Sequence, residues 1–323
     1  MEDQIIELIL LRHGQSTLNS KNLFCGWIDP PLTDIGIEQA KSAAREIKKH
    51  LSTISKPSVS FCSRLTRTKE TLLTILKELD ALNNNSVEET SENVIIEKQN
   101  PLTFKNVPAN PSIDKTGYKF YSSWRLNERH YGSWQGQNKK KVLSIVGDKE
   151  YMQVRRDYEG RPPDVNLDKE MEHKKNVHDD VTFGDVTEEY EFKEPNRCEK
   201  YQMEYQFGHV ALPISESLSD VLTRMTPLLE DFIIPNIIES ENKTGMIIAH
   251  GSSMRAMLLK LLGLDAEEIK GVNIPNGMPM IVKLSYQKIP HKNKYNIKFV
   301  DRYYLDPELA AKKAEQVKNE GRT

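Results

Sequence analysis

Two apolar, β-branched runs in this chain end in the same way. Ile5–Leu11 (IIELILL) stops at Arg12-His13-Gly14, and Met246-Ile247-Ile248-Ala249 stops at His250-Gly251, with Arg255 shortly after. Each run reads as a buried strand that delivers a histidine at its carboxyl end. In an open α/β sheet those ends line the ligand crevice, so the two histidines face one another if their strands are neighbours. The plainer reading, in which each ring caps its own strand and bonds a backbone carbonyl, suits either histidine alone. The pair, with Arg12 beside the first, favours one shared site.

A chain of 323 residues can bury a large core, and its alternating strand and helix patterns favour a single elaborated α/β domain. Helices are expected at Ile35–Leu51, capped by Thr33 or Asp34, at Leu65–Leu82, along the segment from Lys139 to Arg156, from a Ser215 cap through Phe232, at Ser253–Leu262 and at Asp306–Lys318. Strands are expected at Ser58–Cys62, Val94–Ile96 and Pro279–Leu284. The hydrophobic fraction of 37% is low for a compact enzyme, which points to polar insertions. Asn83–Ser122, punctuated by Pro101, Pro108 and Pro111, reads as a long surface insertion. Asp164–Lys200, where acids outnumber bases roughly two to one, reads as flexible and solvated.

With 45 Lys+Arg against 47 Asp+Glu, the net charge of −2 excludes a bulk nucleic-acid binder and requires any anion site to be concentrated. Three scattered cysteines, Cys25, Cys62 and Cys198, suggest neither a disulfide framework nor a zinc set and fit a reducing compartment. No run approaches membrane-spanning length and the first residues resemble no secretory or transit signal, so a soluble cytoplasmic protein with no nucleic-acid or membrane partner is expected.

A neutral imidazole is a competent nucleophile toward phosphorus, and the phosphoramidate it forms is labile enough to pass the group on. Phosphoryl transfer then needs mainly positioning and charge neutralisation, which Arg12, Arg67 and His250 can supply without a metal. Glu128, in a cluster of hydrogen-bonding residues, suits a general acid–base, although a salt bridge to Arg125 or Arg129 is the plainer role for it. Lys139, Arg155 and Arg156 equally suit a solvated helix face.

The pattern LLRHGQS at Leu10–Ser16, GWID at Gly26–Asp29, SRLTRT at Ser63–Thr68, WRLNERHYG at Trp124–Gly132, QGQNK at Gln135–Lys139, RRDY at Arg155–Tyr158, AHG at Ala249–Gly251, NIPNGMP at Asn273–Pro279 and YYLDPE at Tyr303–Glu308 resembles the histidine phosphatase superfamily. Within it, the chain is similar to the cofactor-dependent phosphoglycerate mutases. The resemblance implies an α/β three-layer sandwich, a mostly parallel sheet flanked by helices, as one phosphoglycerate mutase-like domain over 1–323 with insertions near 83–122 and 164–200. It implies that His13 becomes phosphohistidine, that Glu128 donates and accepts the proton, that His250 supports the transferring group, and that Arg12 and Arg67 hold it. It further implies that Ser16, Asn19, Cys25, Gly26, Arg129, Tyr131, Lys139, Arg155, Arg156, Gly251 and Ser252 bind the substrate, a small phosphorylated carboxylic acid. The primer would be 2,3-bisphosphoglycerate, with no metal, and the assembly a homodimer or homotetramer.

Four positions depart from the family pattern: Thr17 stands for Glu, Leu18 for Trp, Cys25 for Thr and Ser252 for Asn. Interconversion of 3-phosphoglycerate and 2-phosphoglycerate leads the readings. A phosphatase using the same phosphohistidine, and a weakly active or inactive paralogue with a binding role, remain open at this point.

Overall fold

A computed structural model describes residues 4–81, 112–113, 119–166, 194, 197–201, 212–290 and 294–319. In chain order the elements are β1 (Gln4–Arg12), the single turn α1 (Thr17–Ser20), α2 (Asp34–Lys49), β2 (Val59–Ser63), α3 (Thr66–Ala81), β3 (Ser112–Ile113), β4 (Lys119–Ser123) and α4 (Lys139–Arg156). Then follow the single turn α5 (Arg197–Lys200), α6 (Leu218–Leu228), α7 (Ile234–Glu239), β5 (Thr244–Ala249), α8 (Gly251–Leu262), β6 (Met280–Lys288), β7 (Tyr295–Tyr304) and α9 (Pro307–Asn319).

Seven strands form one sheet in the order β3-β4-β2-β5-β1-β6-β7. Strands β4, β2, β5 and β1 are mutually parallel, β6 runs against β1, and β3 against β4. Strand β1 shows why the chain makes three layers. Ile6, Leu8 and Leu10 enter one buried cluster together with residues of α6, α7 and α8, whereas Ile9 and Leu11 enter another with residues of α2 and α3. The two-residue strand period therefore feeds both faces of the sheet, and each helix row buries one apolar stripe. In α2 that stripe is Gly36, Ala40, Ala43, Ala44 and Ile47, and Thr33 caps it by accepting the Gly36 N–H at 3.1 Å.

The two histidine-bearing strands are adjacent. β1 and β5 pair in register, with Arg12 opposite Ala249, so His13 and His250 leave the sheet side by side.

Several expectations shift. The cap of α6 is Ser217 rather than Ser215, because Ser217 and Asp220 complete a reciprocal capping box. The tail of the stretch read as an insertion belongs to the sheet: Lys119–Ser123 pairs in parallel with β2, with Tyr121 packed on one face and Phe120 on the other. Strand β7 was not anticipated. It is a largely exposed edge, so it lacks the alternating apolar face that marks a strand in sequence. Val94–Ile96 lies outside the described residues.

Candidate active site

At the end of β1 the backbone turns so tightly that a Cβ on Gly14 would sit 2.2 Å from the Gly36 carbonyl oxygen. This close contact with α2 tucks His13 into the protein, where 2% of it is exposed. Its Nδ1 lies 2.6 Å from the Gly14 carbonyl and so carries the proton. Nε2 keeps its lone pair, toward which Arg67 Nε points at 3.3 Å. The loop Asn273–Pro279 secures the main chain here: Asn276 Nδ2 donates to the His13 carbonyl at 2.6 Å, and Gly277 N to the Arg12 carbonyl at 3.0 Å.

His250 is fully buried, its ring centroid 4.9 Å from that of His13 at an interplanar angle of 62°. Its Nε2 meets Ser63 Oγ at 2.8 Å. Ser63 Oγ also accepts the Leu65 N–H at 3.1 Å and lies 2.7 Å from Thr68 Oγ1, so the serine ties His250 to the start of α3. Burial first, and then the charges of Arg67 and Arg12, hold the pKa of each imidazole well below the usual 6.5. Both rings are therefore neutral at pH 7.

Arg67, wholly buried on α3, spends its two terminal nitrogens on the carbonyls of Ile28 and Gly26 at 2.9 and 2.8 Å. Asp29 fixes the start of that helix by accepting the Thr66 N–H at 2.6 Å. Arg12 donates to the Ile274 carbonyl at 2.8 Å. Glu128 follows the short helical turn Trp124–Leu126, and its Oε1 accepts two backbone N–H groups, from Arg129 at 2.8 Å and Ser252 at 3.0 Å. Oε2 faces Gly251, where an added Cβ would come within 3.7 Å of it. The Ser252 contact is made by the main chain, so Ser in place of Asn leaves it intact.

The cavity above these groups is lined by Arg12, Lys139, Arg155, Arg156 and Arg255 against a single carboxylate, Glu128. Asn19, Cys25, Gly26, Tyr131, Gly251 and Ser252 also line it. Ser16 and Arg129, expected to bind substrate, lie behind this surface. Ser16 caps α1 and bonds Asn19, while Arg129, 1% exposed, donates to the Val154 carbonyl at 2.7 Å and sits 4.6 Å from the Tyr131 ring centroid. Burial raises the Tyr131 pKa, but Arg129 and Arg155 outweigh it and the net shift is downward. Cys25 takes the Asn19 amide N–H on its sulfur at 3.3 Å.

Among the buried side-chain atoms of the described residues that lack a hydrogen-bond partner are Arg12 Nε, His250 Nδ1 and Asn273 Oδ1. Arg12 also lines the cavity and its Nε is a donor, so an oxyanion there satisfies a cost that the protein otherwise bears.

The sequence shows Arg255, Ser63, Asn276 and Gln135 within or beside its motifs but assigns none of them a role in the site. Arg255 was visible four residues after Gly251 on the same helix. In the structure it donates to the carbonyls of Ile269, Arg155 and Arg156 at 2.9, 3.2 and 3.1 Å. Burial, then Arg129 and Arg156, bring its pKa down to about 9. Among the described residues no group of His, Cys, Asp or Glu is arranged to hold a metal, and no helix is long and apolar enough to cross a membrane.

The family model for the histidine phosphatase superfamily (branch 1) matches residues 8–93 and 177–297. The chain belongs to that superfamily. It is 40% identical over 319 residues to phosphoglycerate mutase 2 of Saccharomyces cerevisiae, covering 98% of this chain and 96% of the relative. It is 31% identical over 318 residues to the 2,3-bisphosphoglycerate-dependent phosphoglycerate mutase of Thermobifida fusca, covering 98% and 99%. Among solved structures, a phosphoglycerate mutase from Bacillus anthracis aligns at a TM-score of 0.51 and 16% identity, over 97% of this chain and 98% of that one. A mycobacterial glucosyl-3-phosphoglycerate phosphatase aligns at 0.53 and 17%, over 92% and 98%. At these identities the two structures establish the superfamily fold, and mutases and phosphatases share it.

Proposed function

We propose that this member of the superfamily interconverts 3-phosphoglycerate and 2-phosphoglycerate through a phosphohistidine on His13. One observation carries the reading: a neutral His13 whose Nε2 keeps its lone pair stands against the His250 ring and the unpartnered Arg12 Nε, beside a carboxylate that holds two backbone N–H groups on Oε1 and leaves Oε2 for a proton. The full-length identity to curated mutases supports the substrate.

The residues fit a doubly phosphorylated carboxylic acid. Five basic side chains line the cavity, and the unpartnered Arg12 Nε among them matches an oxyanion rather than a neutral ligand. When bound, 2,3-bisphosphoglycerate supplies the phosphoryl group that primes His13. Phospho-His13 then releases that group to the free hydroxyl of a phosphoglycerate. The N–P bond breaks, a P–O bond forms, and Glu128 Oε2 takes the hydroxyl proton. In the return transfer His13 Nε2 bonds the other phosphorus, and Glu128 gives its proton to the departing oxygen. Arg12, Arg67 and the His250 ring hold the group between the two states, while Lys139, Arg155 and Arg156 hold the carboxylate and the spectator phosphate.

Incubation with 2,3-bisphosphoglycerate is expected to put acid-labile phosphate on His13. A coupled assay is expected to show isomer formation that depends on the primer and vanishes in His13→Ala. Phosphate release equal to substrate loss, with no isomer formed, would replace this reading with a phosphatase. A cytoplasmic location and a homodimer or homotetramer accompany the proposal on the strength of the family resemblance, and light scattering on the pure protein measures the assembly.

A further inference from the structure

The acid-rich stretch 164–200 was expected to be solvated, yet two of its last residues are among the most buried charges in the molecule. Glu194 is 3% exposed and Arg197 4%. Glu194 Oε2 accepts from Arg197 NH1 at 2.7 Å, and Oε1 accepts from Gln135 Nε2 at 2.7 Å. Oε1 also pairs with His130 Nε2. Because His130 Nδ1 accepts the Gly132 N–H at 3.0 Å, the proton on that ring sits on Nε2 and points at the carboxylate.

Gln135 connects this cluster to the cavity. Its Oε1 accepts the Trp27 N–H at 2.6 Å, and it lies so close to Gly26 (φ +52°) that a Cβ there would come within 1.9 Å. A primary amide can present either end to a neighbour. A carboxylate only accepts, so Glu194 dictates that the nitrogen end faces it and the oxygen end faces Trp27. The loop so held offers the Gly26 and Ile28 carbonyls to Arg67, whose Nε is aimed at His13 Nε2. Cys25 and Gly26 of the same loop form a wall of the cavity. Tyr201 packs at a tilt against Trp27, ring centroids 5.0 Å apart, and accepts from Asn127 Nδ2 at 2.7 Å, one residue before Glu128.

We infer that Glu194 is a positioning residue: by orienting the Gln135 amide it fixes the Gly26–Ile28 loop, and with it Arg67 and the cavity wall at Cys25 and Gly26. The inference deepens the phosphohistidine reading and rests on it for the role of Arg67. It gives the second long inserted stretch a task, since its far end returns to brace the site.

The test compares Glu194→Gln, Glu194→Met, Gln135→Met and the double Met variant. Glu194→Gln keeps an oxygen for Gln135 and His130 and loses only the pairing with Arg197. It is expected to melt at a lower temperature while KM for phosphoglycerate stays within about twofold of wild type. Glu194→Met removes the acceptor. KM is expected to rise about tenfold and phosphorylation of His13 to slow by about the same factor, the scale of a small misplacement of a binding wall. Gln135→Met is expected to match it, and the double variant to be no worse than the worse single, because both act through one contact. KM and phosphorylation rate equal to wild type in Gln135→Met, or effects that multiply in the double variant, would overturn the inference. If Glu194→Met does not fold, Gln135→Met leaves the Glu194–Arg197 pair in place and carries the comparison. Binding of inorganic phosphate by titration calorimetry reads the same wall without turnover, with an expected loss of about tenfold in the Met variants and an unchanged affinity counting against the inference. A wild-type protein that takes no phosphate on His13 would instead remove the functional reading, leaving calorimetry to decide this one.

Discussion

His13 and His250 are neutral when folded because burial and the neighbouring guanidinium groups disfavour the imidazolium form. In the unfolded chain each ring titrates near the ordinary 6.5, so below that pH the unfolded state binds protons that the folded state refuses. Stability is therefore complete above about pH 6.5 and declines as pH falls toward the lowered folded values. Melting temperatures between pH 7.5 and 5.5 are expected to decline, and His13→Gln or His250→Gln should flatten that slope. Glu128 allows a sharper separation of fold from chemistry. Glu128→Gln keeps an oxygen for the Arg129 and Ser252 N–H groups but has no proton to exchange. Phosphorylation of His13 measured in a single turnover is expected to slow by about 10²-fold or more at unchanged melting temperature. At this scale the sequence disclosed the groups that do chemistry, since a histidine ending an apolar run and a carboxylate amid hydrogen-bonding residues are unusual locally. It did not disclose Asn276, Ser63 or Glu194. Their partners lie 263, 187 and 59 residues away, and a backbone carbonyl as acceptor leaves no trace in the side chains.

Helices α2 and α3 follow directly from their apolar spacing, and their observed ends fall within two residues of expectation. Strands β4 and β7 were hidden because one carries few apolar residues and the other is an exposed edge. What the period of an element cannot reveal is how near two elements come. The first turn of α2 touches the end of β1 so closely that a Cβ on Gly36 would lie 2.2 Å from the Gln15 carbonyl oxygen. Backbone on both sides leaves nothing flexible to yield, so Gly36→Ala is expected to cost at least about 3 kcal/mol in chemical denaturation, or to prevent folding. Helices α8 and α4 meet through a polar contact instead. Arg255 holds the Arg155 and Arg156 carbonyls at the end of α4, so it sets where those two guanidinium groups stand in the cavity. Arg255→Lys offers one ammonium where a guanidinium spans three carbonyls. It is expected to raise KM for phosphoglycerate by about tenfold, with a smaller change in kcat, because binding of the non-reacting groups suffers most.

Across the whole molecule the charges nearly balance at −2, yet five cationic side chains converge on one cavity beside a single carboxylate. Mutual repulsion there is visible in Arg255, whose pKa falls to about 9 under burial and the nearby Arg129 and Arg156. The folded state thus gathers positive charge at one cavity, whereas the unfolded chain disperses it. An anion that binds the folded state alone stabilises it by RT ln(1 + [L]/Kd), about 2.7 kcal/mol at one hundred times Kd. Thermal melts in increasing 2,3-bisphosphoglycerate are expected to rise by several degrees, and to rise less with inorganic phosphate, which reaches fewer of the five cations. Added potassium chloride is expected to weaken the shift by screening at the open side of the cavity, while the buried contacts of Arg12 and His250 preserve part of it. Arg155→Met and Arg156→Met should each shrink the rise without altering the melt of the free protein by more than a degree or two, since both side chains stand at the cavity surface. A bisphosphoglycerate shift no larger than that from potassium sulfate at equal ionic strength would mean that the converging cations do not form an anion site matched to two phosphoryl groups.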